Sequence, residues 1–246
     1  MIASPARIRS KYVTFAVLMF LAALAVSLFY AQSSITHGSG HNPSGNPNYP
    51  NAFGYDDSNP ASFAGTRAEI ETADPPIRES SSDAFSVVRV LNQYWPNSTN
   101  YFIETGWIKD SGGGTEVYWS YRGPAGYDAT YPGINVSIGS THSYKVANQN
   151  WYDPDFDDYW VAEFDSDTTL GLADVGYTEG TRSACGGEVS SDQNGMGVSG
   201  CLSNQLRFQT NTTWFDADNP AYFADSPYSV GDSDPTDNHW KVYGNN

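Results

Sequence analysis

The sequence predicts an all-β protein, an antiparallel β-sandwich preceded by an N-terminal apolar export helix and a flexible linker. Three observations carry this reading. Short runs of β-branched and aromatic residues recur between residues 84 and 209, turn residues punctuate them, and no 3.6-residue apolar period follows residue 31. The chain of 246 residues is 15% aromatic and only 16% charged, so it has the apolar material for a packed core and is not an acidic disordered tail.

The elements follow in order. Residues 12–31 form one uncharged apolar run behind Arg7, Arg9 and Lys11, the pattern of an export signal. The run is long for a signal-peptide core and just long enough to span a bilayer. Ala31-Gln32-Ser33 offers a small-x-small cleavage site. Residues 1–31 are therefore read either as a cleaved signal peptide or as a retained membrane anchor. Both place the rest of the chain outside the cell, secreted or tethered to the outer face of the membrane by residues 12–31, with the three basic residues on the cytoplasmic side. Residues 32–80 are rich in Gly, Ser, Pro and Asn and lack apolar periodicity, which reads as a linker.

Residues 81–246 form the sandwich domain with an acidic C-terminal extension. Candidate strands are 84–90, 101–109, 115–121, 134–138, 142–147, 158–165, 168–175, 185–190 and 200–208. Gly112-Gly113-Gly114 provides a hairpin turn, and Pro132-Gly133 and Gly139-Ser140 break other runs. From about Asp216 the chain turns Asp-, Asn-, Pro- and Ser-rich with scattered aromatics, and is expected to wrap the domain surface rather than build a second core.

Charge and cysteine usage narrow the function. The 28 acidic residues against 12 basic ones give a net charge of −16, and no acid lies in residues 1–31. Such a surface repels phosphate backbones, so nucleic acid is excluded as a partner. Cys185 and Cys201 are expected to pair as a disulfide in an oxidising compartment. No metal or cofactor is called for. Asp153-Pro154-Asp155-Phe156-Asp157-Asp158 has alternating acids, but it lacks the glycine and glutamate of an EF-hand loop and reads as a solvated turn.

The sequence has no Gly-x-Ser-x-Gly elbow, His-Glu-x-x-His, phosphate loop or Gly-x-Gly-x-x-Gly. Acids remain, and only 8 of the 28 are glutamates. Glu104 lies within Phe102-Ile103-Glu104-Thr105-Gly106-Trp107-Ile108, an otherwise apolar strand. Glu188 follows Gly186-Gly187 and precedes Val189. A carboxyl on a buried strand has a raised pKa unless it is paired, and two neighbouring carboxyls share a proton. Alternation leaves two placements of Glu104 open, toward solvent or toward a site. Gly186 and Gly187 fit either a bulge beside a disulfide or the close approach of a substrate backbone.

Ile103-Glu104-Thr105-Gly106-Trp107 resembles the Ile-Glu-Ala-Gly-Trp strand of the neprosin family of glutamic peptidases. Cys185-Gly186-Gly187-Glu188-Val189 is similar to that family's Trp-Gly-Gly-Glu-Val, with Cys185 in place of tryptophan. Asn194 to Gly200 is similar to its Met-Gly-Ser-Gly stretch, with Val198 inserted. A more distant likeness runs to the eqolisins, whose Gln-Thr-Gly strand aligns with Glu104-Thr105-Gly106. The resemblance implies a jelly-roll, concanavalin-like sandwich with catalytic Glu104 and Glu188 facing each other across a cleft. It implies metal-free hydrolysis of a polypeptide substrate. By the eqolisin analogy, Glu188 is the ionised general base and Glu104 the protonated donor to the oxyanion. Trp107, Tyr118 and Trp119, with Gly186 and Gly187, would line the substrate cleft. The alternative reading is a non-catalytic extracellular sandwich that stacks carbohydrate or cell-wall polymer on Tyr118, Trp119, Tyr121, Trp151, Tyr152, Tyr159 and Trp160.

Overall fold

A computed structural model describes residues 49–57, 63–81, 84–94, 100–149, 159–166, 168–199, 204–210, 213–216, 221–234 and 239–244. Among the described residues the only regular elements longer than a turn are strands. These residues include no helix long and apolar enough to cross a membrane. The apolar run 12–31, the acidic turn 153–158 and Cys201 lie outside the described residues.

Among the described residues sixteen strands follow one another: β1 (Asn51–Asp57), β2 (Gly65–Glu71), β3 (Phe85–Tyr94), β4 (Tyr101–Asp110), β5 (Thr115–Gly123), β6 (Gly126–Thr130), β7 (Thr141–Asn148) and β8 (Tyr159–Phe164), then β9 (Thr168–Asp174), β10 (Arg182–Val189), β11 (Gly197–Ser199), β12 (Asn204–Thr210), β13 (Thr213–Asp216), β14 (Ala221–Ala224), β15 (Ser229–Asp234) and β16 (His239–Gly244). A seven-stranded sheet has the order β14-β1-β10-β3-β4-β5-β6, a six-stranded sheet β13-β12-β2-β7-β8-β9, and a small sheet β11-β16-β15. The pairings in all three are antiparallel. The two large sheets pack face to face, as expected for a sandwich. Ala52, Val88, Val90, Trp107, Val117, Cys185 and Val189 from the first meet Ala68, Ile70, Tyr144 and Phe164 from the second.

Two parts of the chain differ from the sequence reading. The stretch read as a linker over 32–80 contributes β1 beside β10 and β2 between β12 and β7. Its apolar signal is weak for a physical reason. On the core-facing side β1 offers only Ala52 and Gly54, and the Trp240 ring occupies the space that a Gly54 side chain would need: a Cβ there would lie 2.4 Å from Trp240 Cε2. The tail also enters the main core instead of staying on the surface: Trp240 and Val242 of β16 are fully buried there, and Trp240 Nε1 donates to Cys185 O at 3.1 Å. Candidate strand 134–138 reduces to one bridge, Glu116 to Asn135, although Val117 N and Val136 N still make backbone bonds across it.

Candidate active site

Directly opposed residues of an antiparallel pair share a face, and so do residues two apart along one strand. Glu188 on β10 is opposite Val87 and Gly186 is opposite Arg89 on β3; Leu91 on β3 is opposite Glu104 on β4, which is opposite Ser120 on β5. Glu188, Arg89, Glu104 and Ser120 therefore project from four adjacent strands onto one face. It is the face turned away from the six-stranded sheet.

The side chains meet there. Arg89 Nε lies 2.7 Å from Glu104 Oε2, and Arg89 Nη2 donates to Glu188 Oε2 at 2.6 Å. The three side chains are 0%, 0% and 1% exposed for Arg89, Glu104 and Glu188. Glu104 Oε1 accepts from Ser120 Oγ at 2.7 Å, and the Tyr118 hydroxyl lies at 3.4 Å. Glu188 Oε1 is buried and has no hydrogen-bond partner among the described residues.

Charges at this depth interact strongly. Burial pushes the Glu188 carboxyl well above the ordinary carboxylate range, and Glu104 adds to the rise while Arg89 opposes it. Burial alone would lower the Arg89 pKa, but Glu188 and Glu104 outweigh it and hold the guanidinium charged. Tyr118 is pushed up by burial and then by Glu104, so its phenol stays protonated and able to donate.

A cleft of about 340 Å³ opens beside this cluster. Arg89 and Glu188 form one end of its lining, and Leu91, Gln93, Ala184 and Arg182 continue it along β3 and β10. Asn51, Phe53 and Tyr55 of β1 with Phe223 of β14 make an aromatic wall, and Asn100 completes it. The Arg89 guanidinium lies 5.0 Å from the Phe53 ring centre and the Arg182 guanidinium 4.4 Å from that of Tyr55. The lining combines apolar and aromatic side chains with two guanidinium groups, three side-chain amides and one carboxylate.

The residues singled out from sequence divide between the two faces. Glu104, Glu188, Tyr118 and Gly186 come together on the cleft side. Gly186 lets β1 pass closely, since a Cβ there would lie 2.2 Å from Ala52 O and 2.5 Å from Phe53 Cδ1. Trp107, Trp119 and Gly187 do not line the cleft. Trp107 is fully buried on the core face, where its Nε1 donates to Glu71 O at 3.0 Å. Trp119 packs with Val146 and Trp160 in the interior, and Gly187 is covered by Met196. The reason is parity: an odd step along a strand reverses the face. Cys185 is fully buried on β10. Sequence reasoning passed over Arg89, although an arginine inside the apolar run Ala84–Val90 is the same signal that marks Glu104.

Other groupings are less suited to chemistry. Ser140, His142 and Asp165 are joined by contacts of 2.8 Å each, but the Ser140 hydroxyl donates to Ser137 O and is not held as a nucleophile. Among the described residues, no three His, Cys, Asp or Glu side chains gather as metal ligands. An aromatic platform for sugars does not form from Tyr118, Trp119 and Trp160, which are all buried, and Trp151 and Tyr152 lie outside the described residues.

No family model matches the chain, and no curated protein matches it. Solved structures do. A scytalido-glutamic peptidase with a peptide-based transition-state analogue superposes with a TM-score of 0.52 at 10% identity, covering 80% of this chain and 97% of that one. SCP-B, a member of the eqolisin family of peptidases in complex with the tripeptide Ala-Ile-His, gives 0.50 at 10% identity, covering 79% and 96%. The fold of this chain is that of the eqolisin peptidases.

Proposed function

We propose that this chain is an exported glutamic endopeptidase that hydrolyses peptide bonds with the Glu104/Glu188 pair and no metal. Its motifs are of the neprosin kind and its fold is eqolisin-like. One observation carries the reading: two glutamates from separate strands converge on one buried arginine, and one of the two lines a cleft of about 340 Å³. Sandwich architecture alone supports no such inference, because folds host many functions.

The chemistry follows from the placement. Glu188 lines the cleft, and its Oε1, without a hydrogen-bond partner among the described residues, is the atom we assign to hold water. As general base Glu188 takes a proton from that water, and the hydroxide adds to the scissile carbonyl carbon. Glu188 then returns the proton to the leaving amine nitrogen as the C–N bond breaks. No acyl-enzyme forms. Asn51, directly across from Glu188 on β1, lines the same wall, and its side-chain amide, which also donates to Tyr49 O, would favour the oxyanion there.

The test is proteolysis of an unstructured protein substrate across acid to neutral pH, with wild type beside Glu188→Gln and Glu104→Gln and the fold of each verified by circular dichroism. Activity that survives chelators and serine and cysteine reagents but is lost in Glu188→Gln supports the reading. A folded wild type that cleaves nothing at any pH, or a Glu188→Gln protein as active as wild type, refutes it.

A further inference from the structure

A buried arginine between two catalytic carboxyls calls for its own explanation. Two carboxyls that meet without a cation hold one proton between them, because like charges at such range cannot both ionise. Here Arg89 stands between the two. Its Nε lies 2.7 Å from Glu104 Oε2 and its Nη2 lies 2.6 Å from Glu188 Oε2. A guanidinium can do this because its charge is spread over one rigid plane, so that Nη2 donates to Glu188 while the Nε side makes an ion pair with Glu104; an ammonium group has no such span.

Resting on the peptidase reading above, we propose that Arg89 is a positioning residue that replaces the shared proton of the carboxyl pair. It holds Glu104 as a permanent carboxylate, so that Glu188 alone loses and regains a proton during turnover.

The surroundings agree element by element. On β5, Ser120 Oγ donates to Glu104 Oε1 at 2.7 Å and the Tyr118 hydroxyl stands 3.4 Å from the same atom. An ionised carboxylate accepts both contacts. On β6, Tyr127 is also pushed up, first by burial and then by Glu104, so it brings no negative charge. From β1, Phe53 covers the guanidinium and the uncharged Asn51 is opposite Glu188. The cluster thus has one cation and two carboxyls, and the phenols around it remain neutral. Of the two carboxyls, Glu188 is the one that lines the cleft. This reverses the role expected for Glu104 by the eqolisin analogy, in which it carries the proton.

The test uses two readouts on the whole chain. The first is the pH dependence of kcat/KM on an unstructured substrate. The second is carboxyl titration by NMR of protein labelled with ¹³C-glutamate, with Glu188→Gln and Glu104→Gln to assign the signals. In wild type, Glu188 titrates as one step, and Glu104 stays ionised throughout the range in which Glu188 titrates. Glu104→Gln lowers the Glu188 midpoint by about one unit or more, because an anion is removed and Arg89 is left to Glu188 alone. Removing the cation as well, in Arg89→Met with Glu104→Gln, raises it again by a similar amount; this double variant buries no second carboxyl and so guards against misfolding. Arg89→Lys keeps the midpoint near wild type and lowers the rate. A merely structural arginine would change rate or stability but leave the midpoint in place. Two coupled steps in wild type, or a midpoint indifferent to Arg89, overturns the proposal. If wild type cleaves nothing, the peptidase reading fails, and the carboxyl titration still decides what Arg89 does.

Discussion

Glu188 is enclosed by protein except toward the cleft, and this sets both its reactivity and its cost. A general base works best when its pKa approaches the operating pH, and burial moves Glu188 in that direction. In the proposed mechanism hydrolysis requires the ionised form, so activity is expected to climb as pH rises through a midpoint above the ordinary carboxylate range. Replacing the base with an amide in Glu188→Gln should lower kcat by about 10²- to 10⁴-fold, measured on a peptide substrate at the plateau of that profile. Linkage gives the matching stability effect. Because the folded pKa of Glu188 is raised, its contribution is fully present below the unfolded value of about 4.3 and is lost as pH rises through the folded value. Glu188→Gln removes that dependence. Its melting temperature relative to wild type should therefore increase from acid to neutral pH; a constant difference would show that the carboxyl is not perturbed. Both glutamates were legible in the sequence: Glu104 interrupts an apolar strand, and Glu188 follows Gly186-Gly187 and precedes Val189. Arg89 interrupts one too, but its meaning depends on the two carboxyls that flank it in space, and these lie on other strands.

At the scale of elements, the site depends on how closely β10, β3, β4 and β5 run. Gly106 on β4 is opposite Arg89, and a Cβ on it would fall 2.1 Å from Val88 O and 2.6 Å from Arg89 Cα. The obstacle is backbone, which cannot rotate aside. Gly106→Ala should cost about 1–3 kcal/mol in denaturant unfolding and displace Arg89, so that activity falls further than stability alone explains. Behind β10, Trp240 is fully buried and bonded to Cys185 O. Trp240→Ala should destabilise the fold by about 3–5 kcal/mol, by urea or thermal melt, even though the residue lies near the end of a polar tail. A loss under about 1 kcal/mol would mean the tail is not part of the core. Central strands β3, β4 and β5 were readable as runs of β-branched and aromatic residues. Strands β1 and β2 were not, because β1 faces the core with Ala52 and Gly54, and β2 buries only Gly65, Thr66, Ala68 and Ile70 between charged positions. Such strands are recognised by what they pair with, and that is a non-local property.

Across the whole molecule, an excess of 16 negative charges acts on stability and on substrate encounter alike. Raising ionic strength from about 0.01 M to about 0.15 M shortens the Debye length from roughly 30 Å to about 8 Å and screens this self-repulsion. The melting temperature should rise over that range. The kcat/KM for a basic protein substrate should fall over the same range while that for an acidic one rises, which stopped-flow or initial-rate assays would detect. Composition and strand pattern by themselves determined the class of the fold, the sign of its electrostatic field and the two glutamates worth weighing. These are local or additive properties, readable from one segment at a time. Tertiary structure alone decided which side of its strand Glu104 faces, that Trp107 and Trp119 belong to the core instead of the cleft, and that Arg89 joins the two carboxyls. The reason is that a strand shows its period but not its parity: which face is inside depends on the sheet packed against it, and the contacts that settle it come from β1, β2 and β16, far away in the chain.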